Sequence, residues 1–275
     1  MSDTSVVIVG AKRTPIGSFQ GQFSPLAATD LGAAAIAGAI EQAGIDSSDP
    51  GEVIMGCVLP AALGQAPARQ AALKAGVPVS VGALTVNKVC GSGMKAVMLG
   101  HDMIRAGTAE IIVAGGMESM SNAPYMLPKA RAGMRMGHGE VLDHMFTDGL
   151  QSPYDQQMMG VFGEMCAEKY EFSRIEQDGF ATHSVERAQR AVHEGHFVDE
   201  IVPVTVPQRR GDDVVVSEDG GIRRGTTAES LSTLRPAFGG GGSITAGNAS
   251  QISDGAAALV IADRAAAEAA GLPIL

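Results

Sequence analysis

Residues 83–116 read ALTVNKVCGSGMKAVMLGHDMIRAGTAEIIVAGG. A β-branched run, Ala83–Val89, arrives at Cys90 and turns through Gly91 and Gly93. The stretch Gly93–Ala106 then carries apolar residues at helical spacing, and Glu110–Ala114 is a second short apolar run. Strand, glycine turn, helix and strand in that order make a βαβ unit, and strand twist makes its crossover right-handed. Working outward, Glu52–Val58 and Pro67–Ala75 precede it in the same style. Before them come the strand-like Ser5–Val9 and the helical Asp30–Ala43, with Leu31, Ala34, Ala35 and Ala39 on one face and Gly44 at the C-cap position. At the far end Ala256–Ile261 and Asp263–Ala270 resume the alternation. The pattern predicts an α/β fold with a largely parallel sheet covered on both sides.

The middle, 121–249, breaks the rhythm. It holds 12 of the 20 Lys and Arg and 18 of the 30 Asp and Glu. A Met- and Gly-rich stretch, Tyr125–Met159, has no clear period and reads as loop. Phe162–Tyr170 looks helical, and a longer helix is predicted over Arg174–His193, opened by a Ser173/Glu176 capping box. Two short polar-edged strands follow near Ile201–Val206 and Val214–Ser217. The simplest reading is a loop-rich subdomain inserted into one α/β domain.

Composition narrows the function. The net charge of −10 opposes a nucleic-acid binder, which needs a positive surface to displace counterions from phosphates. No apolar run reaches the roughly 18 residues of a membrane span. Three scattered cysteines and the absence of a basic-plus-apolar leader predict a cytoplasmic protein without a disulfide framework. With 36 glycines, no Trp and few aromatics, the core is expected to be built from Ala, Val, Ile, Leu and Met.

Cys90 has the strongest chemical setting. A thiol between a strand and a helix N-terminus meets backbone N–H groups and the positive dipole end, which favour thiolate. The flanking glycines admit a carbonyl substrate close to main-chain donors. Met94, Val97, Met98 and Ile104 are expected on the buried side of the helix. A lone cysteine is equally among the most buried and inert residue types, and spacing alone leaves both readings open. Cys57, in an apolar strand, and Cys166, in a helix, read as packing residues. His193-Glu194-Gly195-His196 lacks the spacing of a zinc helix motif, so no metal site is expected. His138 and His144 fall in the loop stretch without an assigned role. The pairs Arg209-Arg210 and Arg223-Arg224 suit either a phosphorylated ligand or a solvated edge balanced by Asp212, Asp213, Glu218 and Asp219. The small-residue run 239–256, GGGGSITAGNASQISDGA, fits a backbone-to-ligand contact or a flexible loop.

Five segments together resemble the thiolase family, near its acetoacetyl-CoA branch: Arg13–Gly17, Asn87–Ala96, Gly115–Ser121, Leu234–Phe238 and Thr245–Ala258. The resemblance implies a thiolase-like N-terminal core with a mixed five-stranded sheet covered by helices. The core would comprise 1–120 and 250–275, with a coenzyme A (CoA) binding insertion at 121–249. Cys90 would be the acyl-accepting nucleophile. The CoA contacts would be Leu150, Met159, Arg223, Ser230, Phe238, Ala249 and Ser250. Acyl-CoA and CoA would be substrate and product, with no covalently bound cofactor. Tyr125–Arg131 and Asp148–Leu150 resemble short-chain members, whereas Met158 stands where many of them have histidine. The family continues for about a hundred residues in a second domain that carries a histidine base and a second cysteine. The chain is therefore expected to lack that C-terminal domain and to hold the nucleophile without those groups. Homodimers or homotetramers are implied, with the Ala83–Gly93 and Gly115–Ser121 regions at the interface. The competing reading is a truncated, non-catalytic CoA-binding scaffold.

Overall fold

Strands that are apolar at nearly every position dictate a sheet buried on both faces, and the computed structural model, which describes residues 5–275, has one. In chain order the first elements are β1 (Val6–Arg13), β2 (Gly17–Ser18), α1 (Ala28–Ala43), β3 (Glu52–Gly56), α2 (Pro67–Lys74), β4 (Gly82–Val86), α3 (Ser92–Arg105) and β5 (Ile111–Ser119). Next come β6 (Tyr125–Met126), β7 (Leu142–Asp143), α4 (Met159–Lys169) and α5 (Arg174–His193). The last are β8 (Val204–Val206), β9 (Val214–Val216), α6 (Ala228–Ser232), β10 (Ser253–Asp263) and α7 (Arg264–Ala270). Among the described residues no helix is long and apolar enough to cross a membrane.

The main sheet runs β1-β10-β5-β3-β4, with the short β2 also paired to β10. β3 is parallel to β4 and to β5, but β10 is antiparallel to both β5 and β1. The sheet is therefore mixed, as the family resemblance implies, rather than largely parallel. β10 does not follow β5 through a helical crossover, so the rule for successive βαβ strands does not govern its direction. Odd and even positions then separate cleanly. Val53, Met55, Val113, Met117 and Val260 face α1 and α2, while Ile54, Ile112, Ala114 and Ile261 face α3.

Local signals explain the helix ends. The Asp30 carboxylate accepts the Ala27 N–H at 3.0 Å at the start of α1, and Gly44 closes it in the left-handed region at φ +69°. At α5, Ser173 Oγ accepts the Glu176 N–H at 3.2 Å and Glu176 Oε2 accepts the Ser173 N–H at 2.8 Å, forming the predicted capping box.

The chain divides into two units, 1–123 with 199–220 and 253–275, and 124–198 with 221–252. A single insertion over 121–249 does not describe this division, because 199–220 groups with the core. The cause is Arg13. Its N–H donates to the Glu200 carbonyl, its carbonyl accepts from the Val202 N–H, and its guanidinium bonds Glu200 at 2.6 Å and Asp219 at 2.7 and 3.0 Å.

Candidate active site

In the first unit β4 ends at Val86 and α3 begins at Ser92, leaving Asn87–Gly91 to make the turn. Val89 sits in the left-handed region at φ +48°. For a β-branched residue that is an outlier, and it persists only where its surroundings over-determine it. Here they do. The Val89 N–H donates to Asn87 Oδ1 at 2.9 Å. Its carbonyl accepts from the Ser92 N–H at 3.0 Å and from Ser92 Oγ at 2.6 Å. The Ser92 hydroxyl also accepts the Lys88 N–H at 2.8 Å and is buried. Cys90, the next residue, is exposed.

The start of α3 is seated directly on the sheet. A Cβ at Gly56 would lie 2.7 Å from Ser92 and from the Gly93 backbone nitrogen, so no larger residue fits there without moving the helix. Gly116, paired in register with Gly56, likewise approaches Gly93. The thiol thus stands above the carboxyl ends of the parallel pair β3 and β5, where open α/β sheets place ligands. α3 buries Ser92, Ala96, Gly100 and Ile104 at four-residue spacing. Met94 and Met98 point outward, contrary to the sequence expectation. The small residues, not the methionines, allow the close approach to the sheet.

Beneath the elbow, Glu118 accepts the N–H groups of Val58 at 2.8 Å and Leu59 at 3.0 Å, and lies 3.6 Å from Cys57 Sγ. Burial first, and then the Glu118 charge, push the Cys57 thiol up to about 12, so this cysteine stays protonated. Cys166 is exposed rather than packed. Asn87, Ser92 and Glu118 stand inside the motifs, but nothing in the sequence marks their roles, because these depend on the backbone conformation of Val89 and on contacts between distant strands. Thr14 and Asp254, both fully buried, tie β1 to β10 and β10 to Ser121. The Arg13–Gly17 and Gly115–Ser121 motifs therefore include residues that brace the core.

All seven CoA candidates lie in the second unit. Leu150 ends a π-helical turn over Met145–Leu150, and Met159 opens α4. The Phe238 ring covers Gly160, where a Cβ would come within 2.3 Å. Arg223 is exposed and its guanidinium forms no ion pair among the described residues; its carbonyl accepts from Thr226 Oγ1 at 2.9 Å. Ser230 Oγ caps α6, accepting the Thr227 N–H and donating to the Thr227 carbonyl, both at 2.9 Å. The Ala249 N–H donates to Thr245 at 3.0 Å, and Ser250 is exposed.

Two carboxylates hold the loop that carries Ala249 and Ser250. Glu164 accepts the Ser243 and Ile244 N–H groups, each at 2.8 Å. Buried Asp178 accepts from Arg174 at 2.7 Å and from Asn248 at 2.9 Å. His144 is buried with Nδ1 2.6 Å from Asp148, whereas His138 lines an open cavity of about 660 Å³ with Lys129, Met134, Arg135 and Met136. None of the eight site candidates lines that cavity.

Comparison with known proteins agrees with this architecture. The family described as "Thiolase, N-terminal domain" matches residues 6–265. An acetyl-CoA acetyltransferase of Pseudomonas aeruginosa is 53% identical over 270 residues, covering 98% of this chain and 69% of that protein. The protein of the same name from Cupriavidus necator is 51% identical over 98% of this chain and 68% of its own length. The crystal structure of the Bacillus anthracis acetyl-CoA acetyltransferase superposes with a TM-score of 0.96 at 40% identity, over 99% of this chain and 68% of that one. With a family match spanning nearly the whole chain and a superposition this complete, the chain belongs to the thiolase family.

Proposed function

We propose that this chain acts in an acetyl-CoA C-acetyltransferase, with Cys90 as its nucleophile. The observation that carries the reading is the exposed Cys90 thiol, held between a strained Val89 and the N-terminus of α3. The Cys90 thiolate attacks the thioester carbon of acetyl-CoA. The carbon–sulfur bond to CoA breaks, CoA leaves as its thiolate and takes a proton, and the acetyl group stays on Cys90. A second acetyl-CoA then loses a methyl proton to a base. Its carbanion attacks the acetyl carbonyl and displaces Cys90, giving acetoacetyl-CoA; thiolysis is the reverse. Leu150, Met159, Arg223, Ser230, Phe238, Ala249 and Ser250 are the proposed CoA contacts. The free Arg223 guanidinium suits the nucleotide phosphates, and the Phe238 ring suits the pantetheine arm. Because Ser230 Oγ already caps a helix, its proposed contact falls to its backbone or its outer lone pair.

The first half-reaction is the direct test. Incubation with acetyl-CoA should place one acetyl group on the Cys90 peptide and release one CoA, and Cys90→Ser should do neither. Iodoacetamide should leave Cys57 unmodified, while Cys166 is accessible to it. Because the histidine base is expected outside this chain, the test is run at pH 9, where free cysteine is largely thiolate; a wild-type protein that binds CoA there without acquiring acetyl would instead support the scaffold reading.

The proposed homo-oligomer rests on β4, the end strand of the sheet, with Leu84, Val89, Met94 and Met98 exposed beside it. Leu84→Lys should lower the mass measured by light scattering to that of a monomer. The cytoplasm is the proposed location, consistent with three unpaired cysteines.

A further inference from the structure

We infer that Asn87 and Ser92 are positioning residues that act on Cys90 through Val89, an inference that rests on the acyl-enzyme reading above. Val89 is the last residue before the thiol, and its φ of +48° is a conformation that a valine does not adopt unaided. If φ returned to the ordinary β or α region, the Cys90 side chain would leave its place at the mouth of α3. Two side chains prevent that return. Asn87 accepts the Val89 N–H at 2.9 Å, and Ser92 donates to the Val89 carbonyl at 2.6 Å while accepting the Lys88 N–H at 2.8 Å. One clamp sits on each side of the strained residue, and together they engage both of its backbone polar groups.

The clamps are themselves braced. Asn87 Nδ2 donates to the Val58 carbonyl at 3.4 Å, and Glu118 holds the N–H groups of Val58 and Leu59 at 2.8 and 3.0 Å. Ser92 is fixed by the glycine seat at Gly56. Neither clamp need touch substrate, so loss of either should slow acyl transfer without weakening capture of acetyl-CoA.

The experiment is single-turnover acetylation of Cys90 by acetyl-CoA in the intact protein, read as a maximal rate and a half-saturating concentration. Asn87 is exposed, so its variants should fold, and melting temperatures check that. Asn87→Ala should lower the maximal rate roughly tenfold to a hundredfold, the scale of a small misplacement of a reacting group, with half-saturation changed less than about twofold. Asn87→Asp keeps an acceptor for the Val89 N–H and should recover most of the rate. Adding Val89→Gly to Asn87→Ala should also recover part of it, because glycine reaches positive φ without a clamp. Ser92→Ala should show the same split between rate and half-saturation. The inference is overturned if Asn87→Ala acetylates at the wild-type rate, or if Asn87→Asp and Val89→Gly both leave the loss unrelieved. Failure of the wild-type protein to acetylate even at pH 9, where no base is needed to ionise a free thiol, would strike the acyl-enzyme reading instead, so the two failures are distinct.

Discussion

Two glycine-rich segments, Cys90–Gly93 in the first unit and Gly239–Gly242 in the second, look alike in composition and are built differently. In the elbow the strained residue is a valine, and glycines of the sheet supply space: Gly56, where a Cβ would come within 2.7 Å of the helix start, and Gly116, at 3.3 Å, let α3 begin against two strands. In the loop Gly239 and Gly241 themselves adopt positive φ, at +147° and +95°, and a Cβ on either would meet nothing within 4 Å. Order there comes from outside, from Glu164 and Asp178 bonding to Ser243, Ile244 and Asn248. A nucleophile needs its atom fixed to a fraction of an ångström. A loop proposed to carry a long flexible ligand needs only its backbone held.

The sharpest test of that difference is one methyl group in each place. Gly56→Ala forces a Cβ to within 2.7 Å of backbone and should displace the start of α3. The expected result is a roughly hundredfold loss of maximal Cys90 acetylation and about 1–3 kcal/mol of stability, measured by single-turnover kinetics and urea unfolding. Gly240→Ala meets no atom within 4 Å and its backbone is not left-handed, so stability should change by no more than about 0.5 kcal/mol. Comparable losses at both positions would show that the loop glycines are as closely packed as Gly56 and would remove the contrast.

The next effect separates rate from binding. Glu164→Ala leaves the Ser243 and Ile244 N–H groups without their acceptor. That should cost about 2 kcal/mol and raise the half-saturating acetyl-CoA concentration while the maximal acetylation rate holds near wild type. A fall in the maximal rate with unchanged half-saturation would contradict the proposed division of labour.

How far the sequence reveals this arrangement depends on the range of the interactions. The strand–turn–helix around Cys90 is legible because turn glycines and helical spacing are local, and the Ser173 cap is legible for the same reason. The antiparallel β10 is not, since its direction depends on partners more than a hundred residues away, as in the Ala258–Gly115 pairing. Arg13 drawing 199–220 into the core is equally non-local. Met94 and Met98 mislead because apolar character predicts burial, whereas close packing against the sheet selects Ala96 and Gly100. Asn87 and Ser92 are visible as letters, but their meaning depends on the φ of Val89, which no periodicity predicts.

The smallest expected effect is a pH dependence confined to the loop. Burial raises the Glu164 pKa, but the N–H groups of Ser243 and Ile244 and the Ser243 hydroxyl outweigh it and hold the carboxyl below its usual range. A carboxylate whose folded pKa lies below its unfolded value, about 4.3 for Glu, stabilises the fold fully above that unfolded value. The contribution is lost as pH falls through the lower folded value. Glu176, held low by the Ser173 hydroxyl and N–H, and Asp155 slope in the same direction, so wild type alone is not diagnostic. The difference between wild type and Glu164→Gln isolates the loop: urea midpoints should differ at pH 6 and converge as pH falls below about 4. A gap of constant size across that range would mean that Glu164 braces the loop by shape rather than by charge.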